Sequence, residues 1–308
     1  MAIIQTVLGP VDVNDLGVTD YHEHLYVDAP KWWLAHSGDF KIDDIEKNAQ
    51  ELRGWQATGG KTVIEMTAID YGRNVRALRS LAEAVPGVNI IATTGFNRPL
   101  YCERWVEGWT EERLGDLLAR EIEVGIDDTG IRAGVIKAGT EYNVLRGIGE
   151  KLLRVAAQAH KKTGAPIITH TTDGTMGLEQ MELLVSEGVN PSHICIGHMD
   201  RNPDLFVHKS ICQAGAYVGY DCPGKVKYGP DSQRIEVLMK LTEAGLGDRI
   251  LLGNDMARRS YFRSYGGGPG LDFLFTRFVP RLRAEGLGQE AIDNILVNNP
   301  RRFLSAGR

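Results

Sequence analysis

The chain has 308 residues, of which 43% are hydrophobic and 24% are charged, a balance typical of a protein with a large packed core. The formal net charge is −5 and no lysine- and arginine-rich block occurs, which argues against a nucleic-acid partner. The first residues lack a signal-peptide pattern and no apolar run is long enough to span a bilayer. We therefore expect a cytoplasmic protein with no membrane partner.

Short β-branched runs alternate with amphipathic stretches along the whole chain. We predict strands at 17–22, 61–67, 89–95, 132–138, 166–171, 193–198, 216–221 and 249–255. Predicted helices between them include 42–59, 110–125 and 147–164, and glycines that suit helix C-termini include Gly59, Gly164 and Gly188. This repeat of strands and helices predicts an α/β fold, a (β/α)8 (TIM) barrel that forms a single domain over residues 1–308.

A doubly wound sheet is the less favoured alternative, because its first strand would normally lead into a glycine-rich phosphate turn. Here the first strand ends in His-Glu-His instead. The cysteines form no CxxC pair, so we expect reduced thiols and no zinc–thiolate site at Cys102, Cys195, Cys212 and Cys222.

Residues that commonly bind metals fall at or near the ends of the predicted strands. His22 and His24 are two residues apart in the first strand, so we expect both side chains on one face. The others close the fourth, fifth, sixth and eighth strands: Lys137, His170, His198 and Asp255. In a (β/α)8 barrel the active site lies at the carboxyl ends of the strands.

Each of these residues also has an ordinary structural interpretation. His170 could be a hydrogen-bonded core histidine, Lys137 a lysine that reaches the surface, and Asp255 a helix N-cap. A shared metal site explains them together, because buried charge is costly unless it is paired or metal-bound. Imidazoles with a carboxylate suit zinc, with cobalt or manganese as alternatives. We expect no catalytic role for the histidines in helices or loops, which are His36, His160, His193 and His208.

Five segments and the N-terminal stretch resemble the phosphotriesterase family of the amidohydrolase superfamily, over nearly the whole chain. The segments are DYHEHL (20–25), VIKAGT (135–140), ITHTT (168–172), GHMDRN (197–202) and GNDMARRSYF (253–262), and the opening is GPVDVNDLGVTDYHEHL. One departure is the pair Asp20–Tyr21, where relatives usually carry an apolar-led pair.

The resemblance implies a binuclear metal-dependent hydrolase. One metal would be held by His22, His24 and Asp255, and the other by His170 and His198. Lys137, carbamylated by CO2 to N6-carboxylysine, would bridge both metals together with a hydroxide. Two cations would lower the pKa of that water, and one would polarise the substrate's carbonyl or phosphoryl oxygen. Asp255 would then be catalytic, taking the hydroxide proton and passing it to the leaving group.

The loops after the third, seventh and eighth strands bear on the substrate. Basic residues follow the last two strands, where this fold commonly binds phosphate. This arrangement resembles the family branch that opens phosphorylated sugar (furanose) lactones. The expected substrate-binding residues are Tyr101, Lys225, Lys227, Tyr228, Arg258 and Arg259. The basic loops could equally be ordinary exposed connections.

Two alternatives to a phosphorylated lactone stay open. The first is a phosphotriesterase or carboxylesterase of neutral esters. Such an enzyme would need a pocket with mostly apolar walls, and the basic loops found here argue against it. The second is a non-catalytic small-molecule-binding protein on the same barrel, against which the complete set of candidate ligands argues. The sequence does not fix the native metal or the oligomeric state, for which a homodimer is one alternative.

Overall fold

The computed structural model describes residues 2–31 and 38–305, so His36 lies outside the described residues. The strands are β1 (Ile3–Thr6), β2 (Gly9–Asp12), β3 (Thr19–Glu23), β4 (Thr62–Glu65), β5 (Asn89–Gly95), β6 (Val135–Gly139), β7 (Ile167–His170), β8 (Ile194–Ile196), β9 (Tyr217–Tyr220) and β10 (Ile250–Leu252). Strands β3 to β10 form one parallel sheet in chain order. The Asp255 N–H donates to the His22 carbonyl at 2.8 Å and links the last strand to the first. The predicted (β/α)8 barrel is confirmed.

Helices surround this sheet. They are α1 (Ile45–Ala57), α2 (Val75–Ala84), α3 (Pro99–Val106), α4 (Glu111–Glu123), α5 (Ile148–Thr163), α6 (Gly177–Ser186), α7 (Leu205–Gln213), α8 (Asp231–Glu243), α9 (Val279–Ala284), α10 (Gln289–Asp293) and α11 (Asn299–Ser305). Short π-helical segments at Leu274–Phe278 and Asn294–Asn298 lead into α9 and α11.

Capping residues explain where one predicted helix begins and where another ends. The Asp44 carboxylate accepts the Lys47 N–H at 3.2 Å, so α1 begins at Ile45 rather than at residue 42. Gly164 ends α5 with a left-handed φ of 71°, a conformation that glycine adopts without a Cβ clash.

The N-terminal hairpin β1–β2 was not predicted. Its strands pair in antiparallel fashion, and the Val7 N–H donates to the Ile90 carbonyl at 2.9 Å. Ile4 is fully buried among the residues that fill the barrel interior, together with Phe303 and Leu304 of α11. The two ends of the described chain therefore close the floor of the barrel.

Alternation along the strands sends side chains to two apolar layers. In β6, Val135 belongs to the cluster inside the barrel and Ile136 to the larger cluster between strands and helices. Lys137 follows two residues after Val135 and therefore returns to the interior. The two-residue alternation of side chains along β6 therefore places a lysine inside the barrel at the carboxyl ends of the strands.

Strand β3 departs from simple alternation. Its pairing with β4 shifts register between Asp20 and Glu23. Tyr21 packs in the interior cluster, and the next residue, His22, also reaches the interior, where its ring faces Lys137. The irregularity therefore supplies the interior with one side chain more than regular pleating would.

The remaining expectations concern thiols, membranes and the other histidines. All four cysteines are free and buried, as predicted. Within the described ranges, no helix is both long and apolar enough to cross a membrane. His160 Nδ1 lies 2.8 Å from the Ala165 carbonyl and its Nε2 lies 3.2 Å from His193 Nδ1, while His208 Nε2 lies 2.6 Å from the Asn202 carbonyl.

Candidate active site

The predicted ligands converge at the carboxyl ends of the strands. Lys137 Nζ lies 3.3 Å from His22 Nε2, and His198 Nε2 lies 2.8 Å from His170 Nδ1. His24 Nε2 lies 3.3 Å from Asp255 Oδ1. Donor atoms of His22, His24 and Asp255 all lie within 4.8 Å of one another, close enough to share an ion. Strand ends far apart in sequence therefore meet at one point.

Two of these residues have an unusual backbone. His198 follows β8 with φ of 58°, and Asp255 follows β10 with φ of 49°. Residues with a Cβ rarely adopt this left-handed region, and such residues concentrate at functional sites. The Asp255 N–H is held by the His22 carbonyl, and the His198 N–H donates to Asp221 Oδ2 at 3.1 Å. The surrounding hydrogen bonds thus hold both residues in their positions.

A second set of residues orients the imidazoles. Asp221 Oδ1 lies 2.6 Å from His198 Nδ1, and Asp221 Oδ2 lies 3.3 Å from His22 Nδ1. His24 Nδ1 lies 2.9 Å from the Thr67 hydroxyl, which donates to Glu65 at 2.5 Å. Neither Asp221 nor Thr67 was among the residues predicted from the sequence. The available signal was their position, since Asp221 directly follows β9 and Thr67 comes two residues after the end of β4.

Two cations hold the Asp255 carboxylate. Arg201 Nη2 donates to Asp255 Oδ2 at 3.0 Å, and the Lys225 ammonium lies 3.3 Å from the same oxygen. Lys225 also donates to the Asp221 carbonyl at 3.1 Å and is 4% exposed. Burial would raise the pKa of Asp255, but the positive Lys225 and the hydrogen bond to His24 hold it well below its usual value. Asp255 is therefore anionic, with Oδ1 turned toward the histidines.

Burial makes the basic groups of the site poor proton acceptors. It lowers the pKa of His22 and His170 well below the usual value, lowers the pKa of His24, and brings the pKa of His198 to about 4. Burial also lowers the pKa of Lys137 to about 8, although the Asp255 carboxylate opposes the change. The imidazoles are therefore neutral near pH 7, as histidine ligands must be.

The donor set fits divalent metal ions. Neutral imidazoles and an anionic carboxylate that point at one another are the ligands that zinc and related ions prefer. A neighbouring group of donors includes Asp221 and Cys222 with His198 and Asp255. It fits less well, because Asp221 faces two imidazoles and burial raises the pKa of the Cys222 thiol well above its usual value.

A pocket of about 240 Å³ opens above these groups. Of the predicted substrate-binding residues, Tyr101, Tyr228 and Arg258 line it, together with the predicted ligands His22, His24, His170, His198 and Asp255. Lys225 lies beneath Asp255, and Lys227 lies 4.7 Å from the Tyr228 ring. Arg259 lies 4.9 Å from the Tyr265 ring, beside a separate surface depression.

The pocket also contains residues that the sequence analysis did not single out. They include Tyr71, Arg98, Arg201 and Tyr261. Arg98 donates to the Tyr101 hydroxyl at 3.1 Å and to Glu141 at 3.3 Å, and the Arg201 guanidinium stacks 4.1 Å from the Tyr228 ring centre. Arg98 lies in the loop after the third predicted strand, and Arg201 follows His198 in the GHMDRN segment. Their loop positions were visible, but their direction required the folded chain.

Comparisons with known proteins agree with this geometry. The sequence profile of the phosphotriesterase family matches residues 2–304. A phospho-furanose lactonase from Mycoplasmopsis agalactiae is 35% identical, over 98% of this chain and 91% of the relative. A lactonase structure from Listeria monocytogenes has a TM-score of 0.95 at 34% identity, covering 99% of this chain and 100% of that one. The phosphotriesterase homology protein from Escherichia coli, crystallised with phosphate in its active site, has a TM-score of 0.90 at 36% identity, covering 94% and 99%.

The family match and the arrangement of the candidate ligands support the same assignment. The match spans the barrel strands and the histidine, lysine and aspartate positions at their carboxyl ends. The chain is a metal-dependent hydrolase that acts on ester bonds, as the sequence predicted. It belongs to the phosphotriesterase family.

Proposed function

We propose that this enzyme opens phosphorylated furanose lactones by hydrolysing the ester bond of the ring. The observation that carries the proposal is one pocket with metal-binding donors at its floor and Arg258 and Tyr228 in its wall. A phosphorylated furanose lactone presents a carbonyl at one end and a phosphate at the other. The carbonyl matches the donors at the floor, and the phosphate matches the wall. The lactonase relatives and the phosphate found in the Escherichia coli protein support this choice.

We assign the metal ligands as the sequence predicts them. His22, His24 and Asp255 would hold one ion, and His170 and His198 the other, with zinc first and cobalt or manganese as alternatives. Lys137 would bridge them as a carbamate, formed when its neutral amine bonds to the carbon of CO2 and releases a proton. When bound, such ions supply Lewis acidity toward the substrate oxygen and make water more acidic.

Asp255 is placed to handle the proton of the reaction. Arg201 and Lys225 engage its Oδ2, which leaves Oδ1 toward the histidines. We propose that Oδ1 accepts the proton of the attacking water as the new carbon–oxygen bond forms. The ester bond to the ring oxygen then breaks, and Oδ1 returns the proton to that oxygen. The product is a hydroxy acid, and Asp255 is restored.

The basic groups beside the pocket favour an anionic substrate. Burial and the positive charge of Arg258 lower the pKa of Lys227, so these two cations repel one another. A phosphate dianion between them would relieve this repulsion and accept paired guanidinium hydrogen bonds. Arg258 is positioned for this by stacking 4.3 Å from the Phe40 ring and by Asp39 at 3.6 Å.

The remaining predicted contacts divide by position. Tyr101 and Tyr228 are proposed to contact the substrate in the pocket, where arginines hold both phenol rings. Lys225 is proposed to act on the substrate through Asp255, since its ammonium faces that residue. Arg259 stays a predicted substrate contact, although it lies over the Tyr265 ring.

A neutral triester or carboxylester is the second candidate substrate. Aromatic side chains in the wall, including Phe40, Tyr71 and Tyr261, would accept one. Arg98, Arg201 and Arg258 in the same wall favour an anion instead. The non-catalytic alternative predicts binding of such ligands without turnover.

Arg258→Ala tests the phosphate site. We expect KM for a lactone phosphate to rise by about 10- to 100-fold, because paired charge-assisted hydrogen bonds are lost. KM for the same lactone without phosphate should change little. Steady-state kinetics measures KM for the phosphorylated lactone, the unphosphorylated lactone and a neutral triester. Zinc and bicarbonate are supplied in every assay.

Arg259→Ala serves as the matched arginine variant, and its effect should be smaller because its guanidinium stacks outside the pocket wall. If Arg258→Ala raised KM equally for the phosphorylated and the unphosphorylated lactone, the phosphate site would be overturned. Turnover of the triester alone would favour the second candidate, and binding without turnover would contradict the enzyme assignment.

A further inference from the structure

The Tyr21 ring lies in the barrel interior, 5.5 Å from the ring of the proposed metal ligand His22. It is fully buried in the barrel interior, and its hydroxyl donates a hydrogen bond to Asp221 Oδ2. A Cβ on Gly219 would overlap the Tyr21 hydroxyl, so the glycine of β9 makes room for the ring.

Asp221 connects Tyr21 to two of the proposed ligands. Its Oδ2 accepts the Tyr21 hydroxyl and the His198 N–H, and it lies 3.3 Å from His22 Nδ1. Its Oδ1 lies 2.6 Å from His198 Nδ1. One carboxylate therefore faces the Nδ1 atoms of two imidazoles, one from each proposed metal position.

This arrangement selects which ring nitrogens face the site. A carboxylate at Nδ1 favours the tautomer that carries its proton there, which leaves the Nε2 lone pair for a metal. His22 Nε2 does face Lys137, and His198 Nε2 faces His170. The orientation of the Asp221 carboxylate thus bears on both metal positions at once.

We propose that Tyr21 is a positioning residue for the metal centre, acting through Asp221. A carboxylate rotates readily about its last torsion, and a charge-assisted hydrogen bond from a buried hydroxyl holds one rotation. With the hydroxyl in place, Oδ2 stays turned toward His22 while Oδ1 stays on His198. The inference rests on the metal centre of the proposed function.

Tyr21→Phe tests this role, because it removes the hydroxyl and keeps the ring. Zinc affinity of the metal-stripped protein, measured by competition with a chromogenic chelator in the presence of bicarbonate, should fall by about 10-fold. The visible absorption of the cobalt-loaded protein should also change, because ligand orientation shapes that spectrum. Tyr21→Met removes the hydroxyl with a different side chain and should shift both readouts in the same direction.

Tyr220→Phe is the matched control. Tyr220 is also fully buried, one residue before Asp221, but its hydroxyl pairs with His208 Nδ1 at 2.9 Å, away from the site. We expect this variant to keep the zinc affinity and the cobalt spectrum of the wild type. A similar change in both variants would mean a general packing effect and would overturn the proposal.

Asp221→Asn separates action through Asp221 from an independent effect. In that background Tyr21→Phe should cause almost no further loss of zinc affinity, because the residue through which it acts is already altered. Additive losses, or unchanged affinity and spectrum in Tyr21→Phe alone, overturn the role of Tyr21 and leave the proposed function standing. Failure of the wild-type protein to bind zinc, cobalt or manganese overturns both.

Discussion

Lys137 shows how far a single position can be interpreted from sequence. The sequence predicted its place at the end of the fourth strand, and the structure puts its Nζ 3.3 Å from His22 Nε2. A buried ammonium beside an imidazole gains little in the absence of a negative charge. Asp255 supplies part of that charge, and the proposed carbamate would convert the cation into an anion. The carbamylation of Lys137 stays a prediction. The location of its side chain does not depend on that modification.

The pH dependence of metal uptake tests the Lys137 carbamate. Only the neutral amine bonds to CO2, and burial brings the pKa of Lys137 to about 8. Below that pH the amine is mostly protonated, so the rate of CO2-dependent zinc uptake should fall about tenfold per unit of pH and level off above it. Stopped-flow uptake at fixed dissolved CO2 measures this.

Lys137→Ala provides the control for that experiment. The variant should take up zinc more weakly and without any dependence on CO2. A wild-type rate that is independent of CO2 at every pH would contradict the carbamate.

At the scale of elements, the N-terminal hairpin is the clearest addition to the predicted barrel. Strands β1 and β2 are short and lack the helix that follows each barrel strand, so the repeat that revealed the other strands did not include them. The hairpin nevertheless buries Ile4 inside the barrel beside Leu16 and Tyr217. The floor of the barrel is closed by sequence outside the repeat.

Ile4→Ala should destabilise the protein by about 2–5 kcal/mol, because it leaves a cavity in the barrel floor. Ile3→Ala is the matched control, since Ile3 is 45% exposed and its truncation should cost well under half as much. Urea unfolding followed by circular dichroism compares the two variants. Equal free-energy losses would mean that the hairpin does not seal the barrel as described.

At the scale of the whole molecule, the barrel concentrates costly groups at one end. Buried imidazoles, a lysine and carboxylates meet there with their charges only partly balanced. Ions that bind these groups only in the folded state would stabilise it, because the donors are far apart in the unfolded chain.

Zinc at about 100 times its Kd, with bicarbonate present, should therefore raise the unfolding free energy by about 2.7 kcal/mol. The measurement is the melting temperature of metal-stripped protein before and after zinc addition. Magnesium is the control, since it prefers oxygen ligands and should stabilise far less. No difference between the two metals would argue against the imidazole-rich centre.

The sequence by itself determined the barrel, the family and the location of the predicted ligands at or near the strand ends. Those features depend on local periodicity and on residue types at strand ends, which are visible along the chain. The prediction of one domain over residues 1–308 stays a prediction, and a homodimer stays one alternative for the oligomeric state.

Only the tertiary structure decided which residues meet. Lys225 and Arg258 look alike as basic loop residues, yet one faces Asp255 and the other lines the pocket. Asp221 and Tyr21 are 200 residues apart in the sequence and share a hydrogen bond in the barrel interior. Such contacts join strands far apart in the chain, and their geometry depends on barrel closure and on the register shift in β3. No local pattern records that information.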